Sequence, residues 1–293
     1  MDFQTELTKY VQKVEQELTK YIVVGPCPEQ KLNQAIEYSL MSGGKRLRPV
    51  LILATYHLFK QEDEVCLPYA VAMEMVHNFS LIHDDLPGID NDDFRHGKPT
   101  NHKKFGESTA ILAGDSLLNM AYKVIAQDLK KFAYDKKRIR ILEEFSEAIE
   151  RMIAGEYVDT EYEGKKISAQ YLEYMHQNKT GQLIREAVRM GAILGEATEE
   201  QIEKLSIYAE KIGLAFQIRD DILSEIGNEK TLGKPVGNDR KREKCTYVTK
   251  YGLEEAQTQL EQITKQAKQI MSTFGPNGAF LEQLALYLEK REK

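Results

Sequence analysis

Phe216-Gln217-Ile218-Arg219-Asp220-Asp221-Ile222-Leu223-Ser224 has the spacing of a helix. Counted from Gln217, the polar residues Asp220, Asp221 and Ser224 fall at offsets of three, four and seven, on one face. Phe216, Ile218, Ile222 and Leu223 nearly surround that face, which is unusual for a simple solvated stripe. Adjacent carboxylates repel each other and are costly to bury, so an apolar setting calls for a cation. Moving outward, the segment closes a helical stretch over 198–226 that opens Thr198-Glu199-Glu200-Gln201, a cap signature. No proline occurs between Pro99 and Pro235, and the interval is rich in Ala, Leu, Glu, Lys, Ile and Met, so it reads as long helices. Gly/Pro breaks and polar clusters mark helices near 2–22, 29–41, 47–60, 66–85, 107–129, 136–160, 168–195, 198–226, 239–249, 252–273 and 278–291. Alternating strand patterns are almost absent. The sequence therefore predicts an all-α bundle, and the lack of repeats or low-complexity linkers predicts a single domain over 1–293.

The 293 residues are 42% hydrophobic and 29% charged, as expected of a globular protein with a substantial core. A formal net charge of −6 argues against nucleic acid as a partner. Cys27, Cys66 and Cys245 are odd in number and widely spaced, fitting neither a disulfide framework nor a zinc pattern. Met1-Asp2-Phe3-Gln4-Thr5-Glu6 has early acids and no apolar run, and no stretch approaches the roughly 18 apolar residues of a membrane span. The expectation is a cytoplasmic protein with no membrane span.

A second aspartate pair stands in Ser80-Leu81-Ile82-His83-Asp84-Asp85-Leu86-Pro87-Gly88-Ile89-Asp90. His77 and Asp84, seven residues apart, share a helical face, and Pro87-Gly88 break the helix so that Asp90 can return towards Asp84. Taken alone, Asp90, Asp92 and Asp93 read equally well as an acidic surface loop, and no EF-hand spacing is present. Two carboxylate clusters facing one cavity would suit Mg²⁺, which completes its octahedron with water and substrate phosphate. Cations are also available. Gly43-Gly44-Lys45-Arg46-Leu47-Arg48-Pro49 combines a glycine turn, a basic segment and a helix start at Pro49, a combination suited to an oxyanion, although as a lone motif it reads as a solvated basic turn. It lacks the Walker pattern. Arg95, Lys179, Lys234 and Lys244 are further candidates.

Taken in order, Gly43–Pro49, Ser80–Pro87, Lys179-Thr180-Gly181, Phe216-Gln217 with Asp220-Asp221, Leu232-Gly233-Lys234 and Lys244-Cys245-Thr246-Tyr247 resemble the motifs of the trans-isoprenyl diphosphate synthases. The likeness is strongest to the bacterial branch that makes farnesyl diphosphate, and it covers essentially the whole chain. It implies an isoprenoid-synthase-type helical bundle around a deep central cavity, acting as a homodimer on prenyl diphosphates. It assigns Mg²⁺ to Asp84, Asp85 and Asp90 on one wall and to Asp220 and Asp221 on the other. Isopentenyl diphosphate falls to Gly44, Lys45, Arg48, His77 and His96. The allylic diphosphate falls to Arg95, Lys179, Thr180, Gln217 and Lys234, with Lys179, Thr180 and Gln217 facing the allylic cation. Phe79, five residues before Asp84, with the small Ser80 beside it, implies a floor set for a fifteen-carbon product.

The chain departs from that pattern at four places. Ser224 replaces an aspartate, His96 an arginine, Ala154-Gly155-Glu156 a Gly-Gly-Gln, and Val248 a proline. Ser224 followed by Asn228 approaches the metal motif of class I terpene synthases. Ionisation without elongation is therefore an alternative reading, as are geranylgeranyl diphosphate synthesis and a regulatory subunit of a heteromeric synthase.

Overall fold

A computed structural model describes residues 2–23, 25–165, 167–226 and 246–292. Helices make up nearly all of its regular structure: α1 (Phe3–Thr19), α2 (Gln30–Leu40), α3 (Leu47–Tyr56), α4 (Leu67–Asp84), α5 (Asn101–Phe105), α6 (Glu107–Lys131), α7 (Lys136–Glu161), α8 (Ala169–His176), α9 (Gln182–Leu194), α10 (Glu199–Ile226), α11 (Tyr247–Tyr251), α12 (Leu253–Ser272) and α13 (Ala279–Lys290). The all-α expectation holds. The cap anticipated at Thr198 is made, with Thr198 and Gln201 exchanging side-chain and backbone bonds, and at the start of α8 Ser168 Oγ accepts the Tyr171 N–H at 3.3 Å.

Three local features differ from expectation. The helix expected over 47–60 stops at Tyr56. The stretch 168–195 is interrupted at Gln177–Gly181 by a π turn between α8 and α9. A short antiparallel hairpin pairs Phe94-Arg95 with Lys98-Pro99. Its two turn residues, His96 (φ 51°) and Gly97 (φ 74°), both take the positive φ that a tight type I′ connection requires. Of the helix expected over 239–249, residues up to 245 lie outside those described, as do Lys234, Lys244, Cys245 and Asn228.

The chain forms two compact units, Met1–Leu53 with Gln61–Leu142 and Ala54–Lys60 with Glu143–Lys293. In the first, α4 packs along α6. Pro68 sits in the first turn of α4, where its missing N–H costs nothing, and residues from Tyr69 to Val76 are buried almost all the way round the helix. In the second, α10 packs on α9 and α12. Ala215, Ile218 and Ile222 join Val248, Ala256 and Leu260 in one apolar cluster. The apolar residues around Asp220-Asp221 thus have a helix to bury against, while the acids point elsewhere.

Candidate active site

In the first unit, Gly43 (φ 92°) and Gly44 (φ 115°) form the glycine turn, and Arg46 continues it at φ 48°. α3 starts at Leu47, so Pro49 falls within its first turn. Arg46 turns inward: one guanidinium nitrogen donates to Glu74 Oε1 at 2.6 Å and the other to the Leu40 carbonyl at 2.6 Å. Asn78 Nδ2 also donates to Glu74 Oε1, at 3.1 Å. Burial raises the Glu74 carboxyl above its usual range despite these partners. Arg46 and Glu74 anchor the basic turn to α4, a role that no local spacing announced, because 28 residues separate them.

Arg48 and His77 come next to this pair. Burial lowers Arg48 to about 10, against the pull of Glu74 and Asp84. Burial and the neighbouring Arg48, Arg95 and Arg46 push His77 well below the ordinary imidazole value, so it is neutral at pH 7. Arg48 Nε and His77 Nδ1 are buried atoms with no hydrogen-bond partner in the protein, which is the signature of polar groups awaiting a ligand. His96 Nε2 lies 3.8 Å from where a Cβ on Gly44 would stand. Partial desolvation, Arg95 and Lys45 lower His96 as well. Gly44 and Lys45 are exposed. The structure therefore gathers Gly44, Arg48, His77 and His96 in one neighbourhood.

At the end of α4 the chain turns back as expected, with the Asp90 N–H donating to the Asp84 carbonyl at 2.8 Å. Asp85 is only 2% exposed, and Arg95 clasps it: Nε donates to both carboxylate oxygens at 2.9 Å and a terminal nitrogen to Oδ1 at 2.6 Å. Burial nevertheless raises the Asp85 carboxyl. For Arg95, burial lowers the guanidinium and Asp85 more than restores it. Phe79 is buried and meets the His83 ring edge-on at 4.9 Å, while Ser80 Oγ donates to the His77 carbonyl at 2.9 Å. His83 fills the space over Gly114 of α6, where an added Cβ would come within 2.2 Å of its Nε2.

In the second unit, the π turn carries Lys179 and Thr180 and is gripped from two sides. A Cβ on Gly155 of α7 would stand 2.2 Å from the Lys179 nitrogen, and one on Gly213 of α10 would stand 3.3 Å from Gly181 Cα. Such turns cluster at functional sites because the extra residue re-aims a side chain. Lys179 Nζ lies 2.5 Å from Asp159 Oδ2 and 2.7 Å from Glu156 Oε2. Thr180 Oγ1 donates to Gln217 Oε1 at 3.1 Å, Gln217 Nε2 to Asp221 Oδ1 at 2.9 Å, and the Tyr247 N–H to Asp221 Oδ2 at 2.8 Å. Asp221 is 5% exposed, whereas the side chain of Asp220 is 42% exposed and receives one bond, at 2.7 Å, from Arg291. Arg291 also lies over the Phe216 ring at 4.0 Å. His176, stacked on Tyr247 at 5.4 Å, is lowered by burial to about 4, with Asp159 and Lys179 acting in opposite directions.

Over residues 29–274 the chain matches the polyprenyl synthetase family. It belongs to that family. The farnesyl diphosphate synthase of Geobacillus stearothermophilus is 42% identical over 290 residues, covering 98% of this chain and 97% of that protein. The farnesyl diphosphate synthase of Escherichia coli K12 is 40% identical, with both chains covered in full. A crystal structure of an FPP/GFPP synthase from Zymomonas mobilis, in its apo form, superposes with a TM-score of 0.86 at 32% identity, over 97% of this chain and 98% of that one. Such family membership agrees with the motif order, and the structural likeness with the isoprenoid-synthase helical fold.

Sequence reasoning missed Arg46, Glu74 and Arg291 as partners of the site. Glu156 was visible only as part of a departing motif, and neither it nor Asp159 as a partner of Lys179. Each of these contacts joins residues 20 or more positions apart, beyond the reach of helical periodicity.

Proposed function

We propose that this chain is a Mg²⁺-dependent trans-prenyltransferase that condenses isopentenyl diphosphate with dimethylallyl and geranyl diphosphate to give farnesyl diphosphate. The observation that carries the reading is full-length similarity of 40–42% to proteins named farnesyl diphosphate synthase, with the motif residues in place. Among the described residues no three His, Cys, Asp or Glu side chains converge to cage a metal alone. Mg²⁺ needs no such cage: one or two carboxylates with waters and phosphate oxygens are its usual shell. The donors here fit it, because they are hard oxygens and Asp220 is exposed at one pair while Asp84 and Asp90 are tied together at the other. Asp84, Asp90 and Asp220 would hold the metal, and Asp85 and Asp221 would fix the strands of chain that carry them.

When bound, Mg²⁺ would withdraw charge from the departing diphosphate. Lys179, Arg95 and Lys234 would take up the remainder. Arg48, Lys45, the Gly44 turn and neutral His77 would hold isopentenyl diphosphate, with His96 contributing a hydrogen bond and no charge. Thr180 Oγ1 and Gln217 would face the allylic cation with oxygen lone pairs, stabilising it until the double bond of isopentenyl diphosphate attacks. The departing diphosphate would accept the final proton. Phe79, braced by His83, would floor the cavity, with Ser80 beside it. The same reading makes the protein one polyprenyl synthase domain over 1–293, working as a cytoplasmic homodimer. The apolar Ile111 and Leu112 exposed on α6 support an interface there, and no described helix is long and apolar enough to cross a membrane.

The test is product analysis with purified protein, isopentenyl diphosphate and each allylic diphosphate. The expected outcome is a fifteen-carbon alcohol after dephosphorylation. A twenty-carbon alcohol would move the chain to geranylgeranyl diphosphate synthesis. Hydrocarbon formed without consumption of isopentenyl diphosphate would favour the terpene-synthase reading, and no product from the protein alone would favour the regulatory-subunit one.

A further inference from the structure

Glu156 stands where the related motif carries glutamine, and the reading above gives it no role. Its carboxylate lies 2.7 Å from Lys179 Nζ, alongside Asp159 at 2.5 Å. The three side chains are 17%, 26% and 13% exposed for Glu156, Lys179 and Asp159, so the cluster is largely screened from bulk water. An ammonium has three donors, and two of these are directed at carboxylates. Taken by themselves, the three side chains carry one more negative charge than positive. Its geometry has little room to relax, because α7 crosses the π turn at Gly155, where even a Cβ would strike the Lys179 backbone at 2.2 Å. Glu156, the next residue, is therefore held against Lys179.

We propose that Glu156 is a positioning residue that restrains Lys179 and weakens the grip of the site on the diphosphate of the allylic substrate and on the diphosphate product. The inference rests on the proposed contact between Lys179 and that diphosphate. An incoming diphosphate has to share Lys179 with a carboxylate that repels it. A glutamine here would still accept a hydrogen bond from Nζ through its amide oxygen but would not repel the anion. Because substrate and product present the same group to Lys179, both affinities move together. A tight hold on the released diphosphate would slow the second condensation, and the glutamate relieves that hold.

Glu156→Gln tests this, since it is isosteric and removes only charge. Titration calorimetry of inorganic diphosphate with Mg²⁺ is expected to show about fivefold tighter binding, the size of one half-buried ion pair. The KM for geranyl diphosphate is expected to fall by a similar factor, with the KM for isopentenyl diphosphate unmoved. Glu156→Asp, which keeps the charge, should stay near the native affinity. The gain from Glu156→Gln should vanish when Lys179→Ala is added. Unchanged or weaker diphosphate binding in folded Glu156→Gln, with Lys179→Ala still weakening it, overturns the inference and leaves the Lys179 assignment standing. If Lys179→Ala itself leaves diphosphate affinity unchanged, the inference and that assignment fall together.

Discussion

At the end of α4, Asp85 gives both carboxylate oxygens to the Arg95 guanidinium; towards the end of α10, Asp221 gives its oxygens to the Gln217 amide and the Tyr247 backbone N–H. Consecutive residues on a helix point about 100° apart, so an Asp-Asp pair on a packed helix has one member turned in and one turned out. Both inner members are buried, at 2% and 5% exposure, and the two regions solve the cost of burial differently. A cation neutralises Asp85. A side-chain amide and a backbone N–H hold Asp221 in place. The outer member of the second pair, Asp220, is touched by Arg291. Identical dipeptides therefore do different work: Asp85 is tied into a hairpin clasp, and Asp221 joins the end of α10 to the start of α11 through the Tyr247 N–H.

The largest effect that could break this comparison is on turnover. Asp84→Ala and Asp220→Ala each remove an outward carboxylate, and kcat should fall by at least about a thousandfold, some 4 kcal/mol of transition-state stabilisation. Steady-state kinetics over a Mg²⁺ series is the measurement. Near-native turnover in folded Asp220→Ala would mean that the outer member of the second pair is not the metal ligand.

Two histidines that burial lowers, His77 and His176, sharpen the contrast through pH. Cations around His77 add to its burial, whereas Asp159 opposes the burial of His176. For His176 the folded value is about 4, against 6.5 in the unfolded chain, so as pH falls through that window only the unfolded state takes up the proton. Its contribution to stability is present above pH 6.5 and is lost towards pH 4, amounting to about 3 kcal/mol at most. Melting curves from pH 7 to 4.5 should therefore fall less steeply for His176→Gln than for the native chain. Equal slopes would remove His176 as the source.

A smaller effect separates the inner aspartates. Asp85→Asn leaves Arg95 with a neutral partner in a half-buried setting and should cost about 2 kcal/mol, while Asp221→Asn loses one hydrogen bond from a neutral donor and should cost about 1 kcal/mol. Urea unfolding of the two variants reads the difference directly. If Asp221→Asn proved the more destabilising, the two pairs would not differ in the way their donors suggest.

Much of this protein was legible in the chain. The proline-free interval, the spacing of Gln217, Asp220, Asp221 and Ser224, and the cap at Thr198 pointed to an all-α fold, because helical periodicity and capping are local properties. The order of the motifs named the family before any coordinate did. Sequence could not say which aspartate of each pair turns inward, since that depends on which neighbouring helix covers the face. Nor could it show that Lys179 sits on a π turn, which close approaches at Gly155 and Gly213 accompany. Arg46 on Glu74, Arg291 on Asp220 and Glu156 on Lys179 were equally out of reach. Those pairings join distant parts of the chain, and only tertiary packing decides which buried charge meets which partner.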